Sequence, residues 1–280
     1  MRTLKLTIAY DGTDYAGWQF QPGQPTVQET LENAIAKVTG QCVRVLASGR
    51  TDAGVHALGQ VVGFRTESTL PPDVFRHALN ANLPDDVAVL EVAEAPDDFH
   101  AISHVRRKRY RYVIHDGPVR DVFCRRFAWQ YGYGRLDAEA MHRAAAALLG
   151  THDFSSFESS GAPRATSVRT IFDLSVQRGR AGGGGEGLGM RDEGLEEGGN
   201  APRLRLRGAC GPDSYDFIAI EIEADGFLYN MVRAIIGTLV QVGRGVRSES
   251  WPGHVLCAAN RSAAGPTAPP KGLTLVKVEY

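Results

Sequence analysis

The chain has 280 residues, 43% hydrophobic and 22% charged, with a formal net charge of −1. That is an ordinary globular composition, long enough to bury a sizeable core in one large or two modest domains. It argues against a membrane protein, a secreted disulfide scaffold and a zinc module. No apolar run nears the ~20 residues that span a bilayer, the N-terminus MRTLKLTIAYDG reads as a strand and not as a leader, and Cys42, Cys124, Cys210 and Cys257 form no CxxC pair, so a reduced, cytoplasmic setting is expected.

Residues 4–10 alternate apolar and polar, as a half-buried strand does. A loop rich in turn formers and aromatics covers 11–25. Thr26 then reads as an N-cap with Glu29 completing a capping box. The helix spans about 27–38, with Val27, Leu31, Ala34, Ile35 and Val38 on one face, and Gly40 ends it. Strands at 43–47 and 58–66 flank a loop, SGRTDAGVHA, at 48–57. Pro71 and Pro72 open a second helix at 72–80, and a strand covers 87–92. This β-α-β-β-α-β order is ferredoxin-like and defines a first unit, 1–98.

A second unit, 99–280, repeats the element order without repeating the sequence. It has a long strand at 104–115, a helix at 136–149 with Asp137 in its first turn, a polar loop at 153–166, and strands at 168–176 and 217–224. A strongly apolar helix at 227–242, a short helix at 252–260 and a closing strand at 273–280 follow. Residues 177–214 contain AGGGGEGLGM and DEGLEEGGN. So little apolar surface cannot offset ordering entropy, and the segment reads as a flexible hairpin insertion. A phosphate-binding loop would need a Lys-Ser/Thr pair after the glycines, and none follows.

Three stretches could carry chemistry. In the loop at 48–57, Arg50 and Asp52 lie between Gly49 and Gly54, and strand-like runs hold the loop at both ends. Such an Asp is either a turn former or a reactive carboxylate on a rigid scaffold. In RRKRYRY, residues 106–112, strand alternation puts Lys108, Tyr110 and Tyr112 on one face and Arg107, Arg109 and Arg111 on the other. Basic and aromatic groups interleaved this way suit nucleic-acid contact, though edge strands also carry such charges. From 101 to 135 nine Arg or Lys face two Asp, a local excess of seven positive charges hidden by the near-neutral total. Within the apolar helix, Arg233 either snorkels at the edge or needs a carboxylate, with Asp52 the leading candidate.

Taken together these segments resemble the tRNA pseudouridine synthase A family. The resemblance rests on Tyr10-Asp11-Gly12, Gly17-Trp18-Gln19, Gln28 and the GRTDAGVHA string at 49–57. It continues through Asn80-Ala81-Asn82-Leu83-Pro84, residues 97–101, 108–112, Ser155-Ser156-Phe157, Arg169-Thr170-Ile171, Met231-Val232-Arg233 and Gly272-Leu273, in the family's order over nearly the whole chain. The fold it implies is α+β: two ferredoxin-like, RRM-like units forming one mixed, mainly antiparallel sheet with helices packed on it and a central active-site cleft. The activity implied is cofactor-free isomerisation of uridine to pseudouridine at positions 38, 39 and 40 of the tRNA anticodon stem-loop, by a homodimer. Residue by residue, Asp52 matches the catalytic nucleophile and Arg233 the basic residue that pairs with it. Tyr110 matches the tyrosine that stacks on the target base, and Arg50 the arginine that helps displace the nucleotide. Arg106, Arg107, Lys108, Arg109 and Arg111 are the candidate RNA contacts, and no metal is expected. The long insertion departs from the short hairpin usual in bacterial relatives. Two rival readings stand beside this one: a non-catalytic RNA-binding protein on an RRM-like scaffold, and a metal-dependent hydrolase or phosphotransferase. The second would need ligands around Asp52 beyond His56 on a glycine-broken loop.

Overall fold

The computed structural model describes residues 1–159, 161, 166–180 and 216–280. The N-terminal alternation forms β1 (Arg2–Tyr10), which buries Leu4, Leu6, Ile8 and Tyr10. Thr26 caps α1 (Val27–Thr39) by accepting from the Glu29 amide, and Gly40 closes it at φ 71°. β2 (Leu46–Ala47), β3 (His56–Thr66), α2 (Pro72–Asn80) and β4 (Val87–Ala95) complete the first third. The rest contributes β5 (Arg107–His115), β6 (Trp129–Gln130), α3 (Ala138–Ala145), β7 (Gly150–Asp153), β8 (Val168–Arg180), β9 (Asp216–Ala224), α4 (Met231–Gly243), α5 (Trp251–Ala258) and β10 (Leu273–Glu279).

The described strands join in one ten-stranded sheet, in the order β4-β1-β3-β10-β5-β9-β8-β7, with β2 on β3 and β6 on β5. The architecture is α+β, as expected. The last strand is the seam. β10 runs antiparallel to β5 but parallel to β3, through only two pairs, Thr274–His56 and Leu275–Ala57. Register therefore carries one row across the sheet on a single face: Tyr10, Ala57, Leu275, Tyr110, Ile222 and Leu174. That face is apolar, and all six residues belong to one continuous core with Leu31, Ile35, Phe75 and Leu79 of α1 and α2 and Ile235, Ile236 and Leu239 of α4. Each fully buried Leu, Ile or Phe among them contributes about 1.5–3 kcal/mol. Among the described residues no helix is long and apolar enough to cross a membrane.

Several boundaries differ from the sequence reading. The strand expected at 43–47 is reduced to β2, two residues paired to β3. The helix expected at 136–149 is α3 followed by a 3-10 turn, Ala146–Leu148, and Asp137 is its N-cap, accepting from the Ala140 amide. β6 and β7 were not anticipated. β8 runs four residues further than expected because Gln177 to Arg180 keep pairing with β9, so the insertion cannot begin at 177. Its remainder at 181–214 lies outside the described residues. The apolar helix starts at Met231 instead of 227, since Asn230 takes a left-handed conformation.

Candidate active site

The loop between β2 and β3 is held by strong local contacts. Ser48 donates to Gln60 Oε1 at 2.6 Å, and Gln60 Nε2 donates back to the Gly49 carbonyl at 2.9 Å. From β5, Lys108 Nζ donates to the Ser48 carbonyl at 2.7 Å. Thr51 Oγ1 lies 2.8 Å from the buried Tyr10 hydroxyl, and its carbonyl accepts from the Trp18 amide at 3.0 Å. Gly12 presses against the far end of the loop: a Cβ there would fall 2.0 Å from the Val55 carbonyl oxygen, so only glycine fits. The loop's backbone is thus pinned at Ser48, Gly49, Thr51 and Val55, and the Asp52 side chain projects from between these points.

α4 supplies the opposing charge. Gly237, in mid-helix, lets the backbone of residues 265–268 lie directly on α4, since a Cβ there would fall 1.6 Å from the Pro266 carbonyl oxygen. That segment then brackets Arg233: the Ala268 amide donates to the Arg233 carbonyl at 3.0 Å, and Arg233 Nε donates to the Ala268 carbonyl at 2.7 Å. Arg233 Nη1 donates to Asp52 Oδ2 at 3.1 Å. The two charged groups lie 181 residues apart in sequence, and of the two sequence alternatives for Arg233 the structure takes the carboxylate partner. The Asp52 side chain keeps 29% exposure, leaving carboxylate oxygen accessible beside a fixed cation.

Tyr110 reaches the same place from β5. Its ring meets Phe227 edge-on at 5.1 Å. Burial, with Tyr10 and the Asp52 carboxylate close by, raises the Tyr110 phenol well above its ordinary range. Burial likewise pushes Tyr10 up to about 12, partly opposed by its bonds to Thr51 and Gln60. Both phenols stay protonated at neutral pH and can donate. Arg50 is exposed and makes no side-chain hydrogen bond or ion pair to another described residue.

The remaining basic candidates are arranged otherwise. On the sheet face away from Tyr110, Arg107 and Arg109 donate to Glu223 at 3.0 and 2.9 Å, Arg109 also lies 3.5 Å from Asp173, and Arg111 pairs with Glu221. Burial would raise the Glu223 carboxyl, but its two arginine bonds outweigh that and hold it below its usual value. Lys108 serves the loop at Ser48, as described. Arg106 is exposed.

Sequence reasoning did not single out Gln60, Asn230 or Ala268: Gln60 acts by bonds across a loop, Asn230 by a left-handed backbone that breaks the helical spacing to Arg233, and Ala268 by its carbonyl. His56 lies in the motif, but its surroundings were not legible either. Buried in the structure, it accepts from the Gly12 amide at Nδ1 (3.1 Å), and its Nε2 reaches the Arg126 carbonyl at 2.9 Å. Asp11 Oδ1 lies at the same distance from Nδ1, 3.1 Å. Burial lowers the imidazole pKa, with Asp11 only partly opposing. Both ring nitrogens are therefore engaged away from Asp52. Among the described residues no cluster of three or more His, Cys, Asp or Glu could hold a metal ion.

A part-exposed carboxylate, an arginine held beside it and a buried tyrosine thus come together on an α+β sheet. The chain matches the tRNA pseudouridine synthase family over residues 6–102 and 144–280. It is 40% identical over 280 residues to tRNA pseudouridine synthase A of Thermoanaerobacter sp. (strain X514), with all of both chains covered. Proteins of the same name from Acetivibrio thermocellus and Moorella thermoacetica are each 43% identical, over 281 and 283 residues, again with both chains covered in full. The chain belongs to the tRNA pseudouridine synthase family, and it is an enzyme of the isomerase class. The reading as a non-catalytic binding protein is set aside on that ground.

Proposed function

We propose that this enzyme converts uridine to pseudouridine at positions 38, 39 and 40 of the tRNA anticodon stem-loop, without a cofactor, with Asp52 as nucleophile. The observation that carries the reading is the 3.1 Å contact between Asp52 and Arg233 beside the buried Tyr110. The target base must leave its stack to be reached. Tyr110, at the floor of the site, offers a stacking surface that returns part of that cost. Arg50, exposed on the same loop, would take the vacated position or the phosphate beside it.

The chemical balance constrains the roles. The bond from C1′ to N1 breaks, a bond from C1′ to C5 forms, C5 loses a proton and N1 gains one. Asp52 acts as a carboxylate nucleophile in the first half of that exchange, while Arg233 keeps it oriented. Three adjacent target positions suit recognition of RNA shape more than of sequence. Of the basic strand, Arg106 is the member proposed to meet phosphate directly. Arg107, Arg109 and Arg111 would first have to leave Glu223 and Glu221. Assembly as a cytoplasmic homodimer belongs to the same proposal.

The test is release of tritium from tRNA transcript labelled at uridine C5, by the purified protein without added metal or nucleotide. Release by the native protein and none by Asp52→Asn supports the reading. Release by both, or by neither while tRNA is still bound, removes Asp52 as nucleophile.

A further inference from the structure

α4 starts in an unexpected way. Asn230 occupies its N-cap position at φ 61° and ψ 7°, in the left-handed region, and its side chain makes no capping bond to a backbone amide of the first turn. An N-cap asparagine ordinarily has extended backbone and gives its side-chain oxygen to an amide of that first turn. Asn tolerates the left-handed region better than most residues, but the conformation is still uncommon outside glycine. Among the described residues, Asn230 and Ala259 are the non-glycine positions with positive φ.

The side-chain oxygen goes elsewhere. Asn230 Oδ1 accepts from Arg233 Nη1 at 2.8 Å, the same nitrogen that donates to Asp52 at 3.1 Å. Asn230 Nδ2 donates to Ser159 Oγ at 3.2 Å, which fixes the orientation of the amide. With Ala268 accepting from Nε at 2.7 Å, the guanidinium is gripped by two uncharged acceptors and one carboxylate. The uncharged pair sets where the arginine points without competing with Asp52 for its charge. Strained backbone of this kind persists where surrounding structure over-determines it, often at functional sites.

We propose that Asn230 is a positioning residue for the isomerisation, its left-handed backbone aiming the amide so that Arg233 is presented to Asp52. The proposal rests on the assignment of Asp52 and Arg233 above. Asn230→Gly keeps the backbone conformation without strain and deletes the amide. Its turnover in the tritium assay is expected to fall about 10- to 100-fold, the scale of a small misplacement at a reacting centre. KM for tRNA should stay within about twofold, as for loss of an interaction made only in the transition state. The thermal midpoint should not fall. Asn230→Ala deletes the same amide but strains the backbone, so it should share the kinetic loss and melt lower. Because Asn230 acts through Arg233, the double variant Asn230→Gly/Arg233→Met should be no slower than Arg233→Met alone.

Three results would overturn the proposal: native turnover by Asn230→Gly while Arg233→Met is slow, multiplied losses in the double variant, or losses that follow melting temperature across the two Asn230 variants. Native turnover by Arg233→Met would instead remove the Asp52–Arg233 assignment, and this proposal with it.

Discussion

Asp116 and Asp52 each face an arginine, yet the two pairs are built differently. Asp116 has a fully buried side chain and accepts two parallel bonds from Arg178, at 2.8 and 2.7 Å. The Leu136 amide donates to it as well, and Arg178 donates to the Leu136 carbonyl, so β5, β8 and the start of α3 are tied together. Burial would raise the Asp116 carboxyl, but the Arg178 bonds and the Leu136 amide outweigh it and hold it below its usual range. Asp52 has a single 3.1 Å contact and 29% exposure, and its arginine is shared with two neutral acceptors. A buried carboxylate bonded at both oxygens is structural. One held in place with an oxygen still accessible can react. The same residue pair serves both ends, and coordination and exposure, not residue identity, separate them.

The comparison can be broken most decisively by exchanging the two losses. Asp52→Asn should lower pseudouridine formation by roughly 10⁴-fold, the scale of removing a nucleophile. Its denaturant midpoint should fall far less than that of Asp116→Ala, because the amide is a close isostere and Arg233 keeps its two neutral acceptors. Asp116→Ala should do the reverse, costing ~3 kcal/mol in urea titration by leaving the part-buried Arg178 and the Leu136 amide without their acceptor, while turnover measured well below its melting temperature stays near native. A catalytic collapse in Asp116→Ala without lost stability would erase the distinction. Next in size, Arg233→Met should lower turnover about 10²- to 10³-fold, comparable to losing one charged contact at a reacting centre. Affinity for tRNA, measured by filter binding, should change far less, and equal losses of both would show that Arg233 binds substrate instead of serving Asp52.

The smallest expected effect concerns acid. Asp116 titrates lower in the folded protein than its ordinary 3.8, so its stabilisation is complete above that pH and is lost as pH falls further. His56 is also lowered, from 6.5, so the unfolded chain takes up its proton first. Stability from a neutral His56 is therefore complete above pH 6.5 and declines as pH falls below it. Urea titrations from pH 7.5 to 5 should show a shallow decline in the native protein that is absent in His56→Gln. A slope that survives the substitution would assign it to another group.

Much of this molecule follows from its sequence. Period-two and period-3.6 patterns placed β1, α1, α2 and the apolar body of α4, because burial of one face is a local demand that each segment states for itself. Alternation in RRKRYRY separated the tyrosines from the arginines correctly. The string GRTDAGVHA marked the loop that carries Asp52, and a lone arginine in an apolar helix announced that it needed a partner. What lay beyond the sequence is what depends on two distant segments at once. β6, β7 and the last four residues of β8 exist only because a partner strand continues beside them. That Glu221 and Glu223 would neutralise the basic strand is decided by the β5–β9 register. The reason for Gly237, the second role of Lys108 and the setting of the left-handed Asn230 involve close backbone approach or bonds across 35 residues or more. Local chemistry singled out Asp52 and Arg233, and tertiary packing set the distance between them, because an ion pair 181 residues apart in sequence has no local energy to reveal it.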